Sequence, residues 1–227
     1  MDELDNKKDE EDVPEPDEEP VWKGPIKYIV AIFLIFLMVI WIVPSFTIKM
    51  DPNPTNIPKI KDVVPQDLNL SKQRINLSTI AALRKAVDPE DPVIKQASTK
   101  IAAQSCTGNQ VCQAKAIYYF TRDNIEYVAD PIDFDYVEPA REVLATHGGD
   151  CESGTLLMAS MMESIGVNAE IVIIPEHAFL RIYLPDAKNK YKQKDGWIYL
   201  DWTCKDCEFG QVPNENLQKQ MEYVDVY

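Results

Sequence analysis

No cluster of lysine and arginine large enough to follow a phosphate backbone occurs in these 227 residues. Acidic side chains outnumber basic ones by 37 to 23, for a net charge of -14. Nucleic-acid binding is excluded on that ground. Histidine is nearly absent: His147 and His177 are the only two, so an imidazole base must be one of them. Cysteine occurs five times, an odd number, which leaves at least one thiol outside any complete pairing. From Tyr28 to Ile48 there is no charged residue. The first 20 residues almost lack apolar side chains, holding eleven acids against Lys7 and Lys8 together with Pro14, Pro16 and Pro20. That leader accounts for -9 of the net charge and leaves -5 for the rest, an ordinary balance for a globular domain.

These absences set the organisation. Residues 1–25 cannot bury enough surface to offset their ordering entropy and read as a disordered acidic tail. Residues 26–48 read as one transmembrane helix, close to the length that crosses a bilayer, with Trp22, Tyr28 and Trp41 near its ends. A cleaved signal peptide fits less well, because the segment is long, begins far from the terminus and lacks a small-residue cleavage site. Lysines flank both ends and do not fix the orientation. The sequons at Asn69 and Asn76, together with paired cysteines beyond the membrane, place the C-terminal part outside the cell as a single-pass membrane protein. Residues 49–75, with Pro52, Pro54, Pro58 and Pro65, read as an extended stalk. Residues 76–227 form the domain, with a 45% hydrophobic composition overall that supports a real core.

Within the domain, apolar residues recur at helical spacing after Asp88-Pro89 (Val93, Ile94, Ala97, Ile101) and from Gln110 to Arg122. The stretch Gly148-Gly149-Asp150-Cys151-Glu152-Ser153-Gly154 then opens a helix running to about Ile165. Asp150 is a capping type, so Cys151 falls in the first turn, where unpaired N–H groups and the helix dipole favour a thiolate. After Gly166 the period changes to two. Ala178, Leu180, Ile182 and Leu184 alternate with His177, Phe179, Arg181 and Tyr183, and Trp197 to Asp201 alternates likewise. An antiparallel pairing of these two strands brings His177, first in one, close to Asp201, last in the other. The fold class is α+β, with helices first and a nucleophile-bearing helix packed on an antiparallel sheet. His147 lacks a following acid in register and reads as a loop residue.

At this point the sequence resembles the transglutaminase-like superfamily, from about residue 88 to 210. The matching residues are Gly149-Asp150-Cys151 opening a helix, Pro175-Glu176-His177-Ala178-Phe179 opening a strand, and Trp197-Ile198-Tyr199-Leu200-Asp201-Trp202-Thr203 closing the next. The resemblance implies a papain-like core in which Cys151 is the nucleophile, His177 the base and Asp201 the group that orients the imidazole. The membrane-anchored archaeal members are the form it resembles most. Trp202 departs from the pattern, standing where the family often has proline. The backbone N–H of Cys151 is one natural oxyanion donor; the second is unassigned among Tyr127, Tyr136 and nearby polar groups.

The remaining cysteines fall into local pairs, Cys106 with Cys112 and Cys204 with Cys207. Two disulfides are the expectation for an external domain; a structural zinc at all four, or a redox-active pair at Cys204 and Cys207, are the alternatives. No cofactor or catalytic metal is expected. The lysines at 188, 190, 192 and 194 fit either a solvated hairpin or a surface for an acidic substrate. The function implied is acyl transfer from a peptide or side-chain amide of a protein or peptide substrate at the cell envelope, by hydrolysis or cross-linking. A non-catalytic binding or assembly module on the same fold is the alternative.

Overall fold

The computed structural model describes residues 24–64, 80–130 and 136–226. The acidic leader up to residue 23, both sequons and residues 131–135 lie outside that set. The chain divides into two compact units, Met1–Phe46 and Thr47–Tyr227. Helix α1 (Ile26–Met50) contains one 18-residue stretch, Ile26–Val43, long and apolar enough to cross a membrane. None of that stretch is buried.

The second unit runs through α2 (Ile60–Val63), α3 (Ile80–Ala86), α4 (Pro92–Ser105), α5 (Gln110–Asn124), β1 (Glu126–Tyr127), α6 (Ala140–Thr146) and β2 (Gly148–Gly149). It continues with α7 (Cys151–Ser164), β3 (Ala169–Ile174), β4 (His177–Tyr183), β5 (Trp197–Leu200), α8 (Asn214–Leu217) and β6 (Glu222–Asp225). Strands β5, β4, β3 and β6 form an antiparallel sheet in that order, and β1 pairs with β2 in parallel.

Helix α7 is the centre of the core. Every residue from Ser153 to Met162 is buried, so this helix is covered all round, by α4, α5, α6, β3 and β4. Its neighbours are fixed by their caps. Asp91 accepts the N–H groups of Val93 and Ile94 at 2.8 and 3.2 Å, with Pro92 opening α4. The same carboxylate takes Arg141 Nε at 2.9 Å, which ties α6 to the start of α4.

The sheet is covered on both faces in the half that carries the site. Ala178, Leu180, Ile182 and Leu184 face the helices, as their alternation predicts. The opposite face is not simply polar: Val172, Ile174, Phe179 and Tyr199 form a second small core beneath Val212, Leu217 and Met221. The segment after β5 carries enough large apolar side chains to cover it.

Residues 51–64, read from sequence as part of an extended stalk, instead lie along the domain. Lys115 on α5 is 1% exposed and needs an anion. Asp51 supplies it, and the Lys115 ammonium also donates to Asn53 Oδ1 at 2.8 Å and the Pro52 carbonyl at 3.2 Å. Further along, Thr55 N–H bonds the Ser105 carbonyl at 3.0 Å and Ile60 N–H bonds Asn124 Oδ1 at 3.1 Å, while Val63 is buried. Proline sets the extended backbone of this strap but not where it goes; the buried lysine decides that.

Candidate active site

Cys151 is the first residue of α7. Asp150 caps the helix by accepting the N–H of Ser153 at 2.8 Å, so the backbone N–H of Cys151 has no partner within the helix. Thr155, one turn on, donates to the Ala178 carbonyl at 3.3 Å, which holds the helix start against the start of β4. The N–H of Ala178 faces the sulfur. The thiol therefore lies beside the residues that open the histidine strand.

His177 and Asp201 meet as their strand register demands. Leu180 pairs with Leu200, so continuing the register one step sets Asp201 opposite Phe179 and diagonal to His177 on the same face. His177 Nε2 lies 2.9 Å from Asp201 Oδ2. The carboxylate is 1% exposed and fully employed. Its Oδ1 accepts from Thr203 N–H at 3.1 Å and Thr203 Oγ1 at 2.7 Å, and its Oδ2 also faces Asn216 Nδ2 at 3.4 Å. Burial pulls this carboxyl upward, but the bonds from His177 and Thr203 outweigh it and hold Asp201 below its ordinary range. With Nε2 committed to Asp201, Nδ1 is the ring nitrogen left for another partner.

Electrostatics at the sulfur correct one expectation. The helix start was expected to favour a thiolate, yet burial and the Glu152 carboxylate, whose Oε2 accepts from Cys151 Sγ at 2.8 Å, push the thiol up to about 12. Burial also pushes the neighbouring Asp150 carboxyl up to about 6, with Glu152 and Asp130 adding to the rise. A half-dipole at a helix end is worth less than desolvation plus a carboxylate in contact.

The other candidates sort themselves by position. His147 sits exposed at the left-handed residue that ends α6, with φ 63°, a capping role. Tyr136 gives its hydroxyl to Glu142 at 3.1 Å. Tyr127 is 52% exposed and close enough for negative charge at Cys151, Asp150 and Glu152 to oppose its ionisation, after burial the largest cause of its raised value. Of the four loop lysines, Lys188 and Lys190 pair with Asp51 at 3.5 and 3.0 Å, and Lys192 donates to the Pro185 carbonyl. Among the described residues, no group of three or more His, Cys, Asp or Glu is placed to hold a metal ion.

Residues 96–202 match the family model of the transglutaminase-like superfamily. That stretch begins in α4 and ends one residue beyond Asp201. The fold is transglutaminase-like. Among solved structures, a Parabacteroides distasonis protein provisionally named a protease is similar at 14% identity and TM-score 0.42, over 53% of this chain and 25% of that one. Legionella pneumophila LapG is similar at 17% identity and TM-score 0.41, over 64% of this chain and 82% of that one. No curated protein matches the chain.

Within the transglutaminase-like core, Trp202 explains its own departure from the usual proline. Its side chain is fully buried over Gly154, where a Cβ would come within 2.2 Å of the indole, and its Nε1 donates to the Cys151 carbonyl at 3.4 Å. The tryptophan thus packs directly on the first turn of the cysteine helix. The sulfurs are joined as Cys106–Cys112 and Cys204–Cys207, leaving Cys151 as the free cysteine. Asn216 was missed from sequence because it lies fifteen residues past Asp201 in a four-residue helix without an apolar period. Glu152 was visible beside the cysteine but was not weighed as a brake on its ionisation.

Proposed function

We propose that this chain is a membrane-anchored thiol enzyme that transfers the acyl group of a peptide or side-chain amide through Cys151, His177 and Asp201. The observation that carries the reading is the 2.9 Å bond between His177 and Asp201 beside the helix start that bears the one free cysteine. Because the thiol is held protonated at rest, His177 works as a general base during attack rather than as half of a standing ion pair. Nδ1 takes the proton as sulfur bonds to the amide carbon. The same nitrogen then protonates the departing amine as the C–N bond breaks, leaving a thioester. Water or an amine attacks that thioester and returns the free thiol. Asp201 holds the imidazole in the tautomer with N–H on Nε2 and stabilises its charged form. The N–H of Cys151 stabilises the oxyanion, with Tyr127 as the nearby candidate for a second donor.

The second reading, a binding or assembly module on this fold, is favoured by one observation: a thiol 7% exposed and strongly disfavoured from ionising. Labelling by an electrophilic amide mimic separates the two. An enzyme loses most of its labelling in His177→Ala; a module labels at the same slow rate with or without the imidazole. The anchor is α1, and the domain lies outside the cell. Protease added to intact cells should digest residues beyond 50 and spare the acidic leader; protection of the domain would reverse that orientation.

A further inference from the structure

Among the described residues, strand β1 has one edge in use and one edge free. The N–H of Glu126 bonds the His147 carbonyl at 2.8 Å and the N–H of Val128 bonds the Gly149 carbonyl at 2.9 Å, both toward β2. Alternation along a strand turns the N–H and C=O of the residue between them, Tyr127, the other way. Among the described residues, neither of those Tyr127 groups has a partner. Tyr127 is 52% exposed and Val128 57%, the only large apolar side chains so exposed outside α1 among the described residues apart from Tyr183 and Tyr223.

This free edge belongs to the site. Tyr127 pairs across β1 and β2 with Gly149, two residues before Cys151. Its ring lies 6.4 Å from that of Trp202, whose indole donates to the Cys151 carbonyl. An unpaired donor and acceptor on one residue, both turned to the same side, match strand pairing, in which a residue gives both its backbone bonds to one neighbouring extended chain. The partner that satisfies this geometry is another extended backbone. A glutamine side chain reaching the thiol alone would leave both groups unused.

We infer that Tyr127 is a docking residue for an extended polypeptide, which pairs with the free edge of β1 through both backbone bonds of Tyr127. The substrate class is then a main-chain peptide in an unfolded or extended segment. This rests on the thiol-enzyme reading above and deepens it by choosing the main-chain amide over the side-chain amide. Val128 and the Tyr127 ring offer apolar contact to the side chains on either side of the paired residue.

The test uses the full chain in detergent micelles and alanine-based chloromethyl ketones of one to four residues, with capture at Cys151 followed by intact mass. The expected result is a capture rate at least tenfold higher for three residues than for one. N-methylation at a single position of the three-residue probe should cost about tenfold, the worth of one net backbone hydrogen bond, with smaller losses at the other positions. A glutamine-shaped probe with the ketone on its side chain should be no faster than the one-residue probe. Rates that ignore length and N-methylation, or a faster glutamine-shaped probe, would overturn the inference. The one-residue probe with and without His177→Ala reports on the catalytic reading separately. A strong His177 effect with no length dependence retains the enzyme and removes the docking edge. Length and N-methyl dependence without a His177 effect does the reverse.

Discussion

Asp51→Ala offers a demanding test of how the domain is held to the chain that leads into it. Lys115 is 1% exposed and Asp51 9%, so the substitution strands a buried ammonium. The cation is not left bare: Asn53 Oδ1 at 2.8 Å, the Pro52 carbonyl and the Tyr191 hydroxyl at 3.2 Å, and the Tyr191 ring at 4.7 Å remain. Removing one partner of a buried pair costs about 3–5 kcal/mol, and the surviving neutral acceptors set the expectation near 3 kcal/mol. Lys188 and Lys190 also lose their anion, but they are 33% and 60% exposed, so each adds well under about 1 kcal/mol. For a domain of this size, about 3 kcal/mol corresponds to a fall in Tm of roughly 6–12 °C. Thermal unfolding of the full chain in micelles, followed by near-UV circular dichroism, reads the shift. Asp51→Ala combined with Lys115→Met should recover most of it, because an apolar replacement of both partners leaves no charge buried. A shift below about 2 °C for Asp51→Ala, or a double variant no better than the single one, would refute the buried-pair account. The pH sign is also fixed. Burial pulls the Asp51 carboxyl up, but Lys115, Lys190 and Tyr191 outweigh it and hold it well below the usual range. Its stabilising effect is therefore complete above about pH 4 and is lost only as pH falls toward the lowered native value.

Gly154→Ala puts a Cβ within 2.2 Å of the Trp202 indole, so it should destabilise by at least about 1–3 kcal/mol; restoring space with Trp202→Phe should return part of that in the same melt. In His177→Ala, where only the free thiolate can react, alkylation of Cys151 by iodoacetamide should rise about tenfold per pH unit through neutrality without a plateau below pH 10, because the thiol is pushed up to about 12; a plateau near pH 8 in that variant would contradict the burial argument. Glu152→Gln should raise that rate at pH 7 by roughly tenfold, the effect of one partly buried carboxylate after discounting for solvent, while an unchanged rate would show that Glu152 does not hold the thiol proton.

The helix that carries Cys151 and the two strands that carry His177 and Asp201 were legible because each has one dominant period and an unambiguous start. Asp150 before Cys151, and the clean alternation from His177 to Leu184, leave little choice of register. The approach of His177 to Asp201 followed from antiparallel pairing alone. What was not legible depends on partners remote in sequence. Strand β6 pairs Val224 with Ile171 across more than fifty residues, and its four-residue run reads locally as a frayed tail. The strap at 51–64 is placed by Lys115, a residue that sequence shows only as one of two cations on a helix otherwise rich in apolar residues. Phe179 and Tyr199 sit on the face assigned as polar because the segment that covers them lies more than ten residues further along the chain. The ionisation of Cys151 was misjudged for a different reason: position in a helix is visible in sequence, while burial and the reach of Glu152 are properties of the packed site.

The central claim is that His177 activates Cys151. Its most direct test is the second-order rate of Cys151 acylation by an electrophilic amide mimic at pH 7, compared between the unmodified chain and His177→Ala, with near-UV circular dichroism confirming that both are folded. Loss of a positioned general base predicts a fall of about 10²–10⁴-fold. Equal rates in the two folded proteins would contradict the claim.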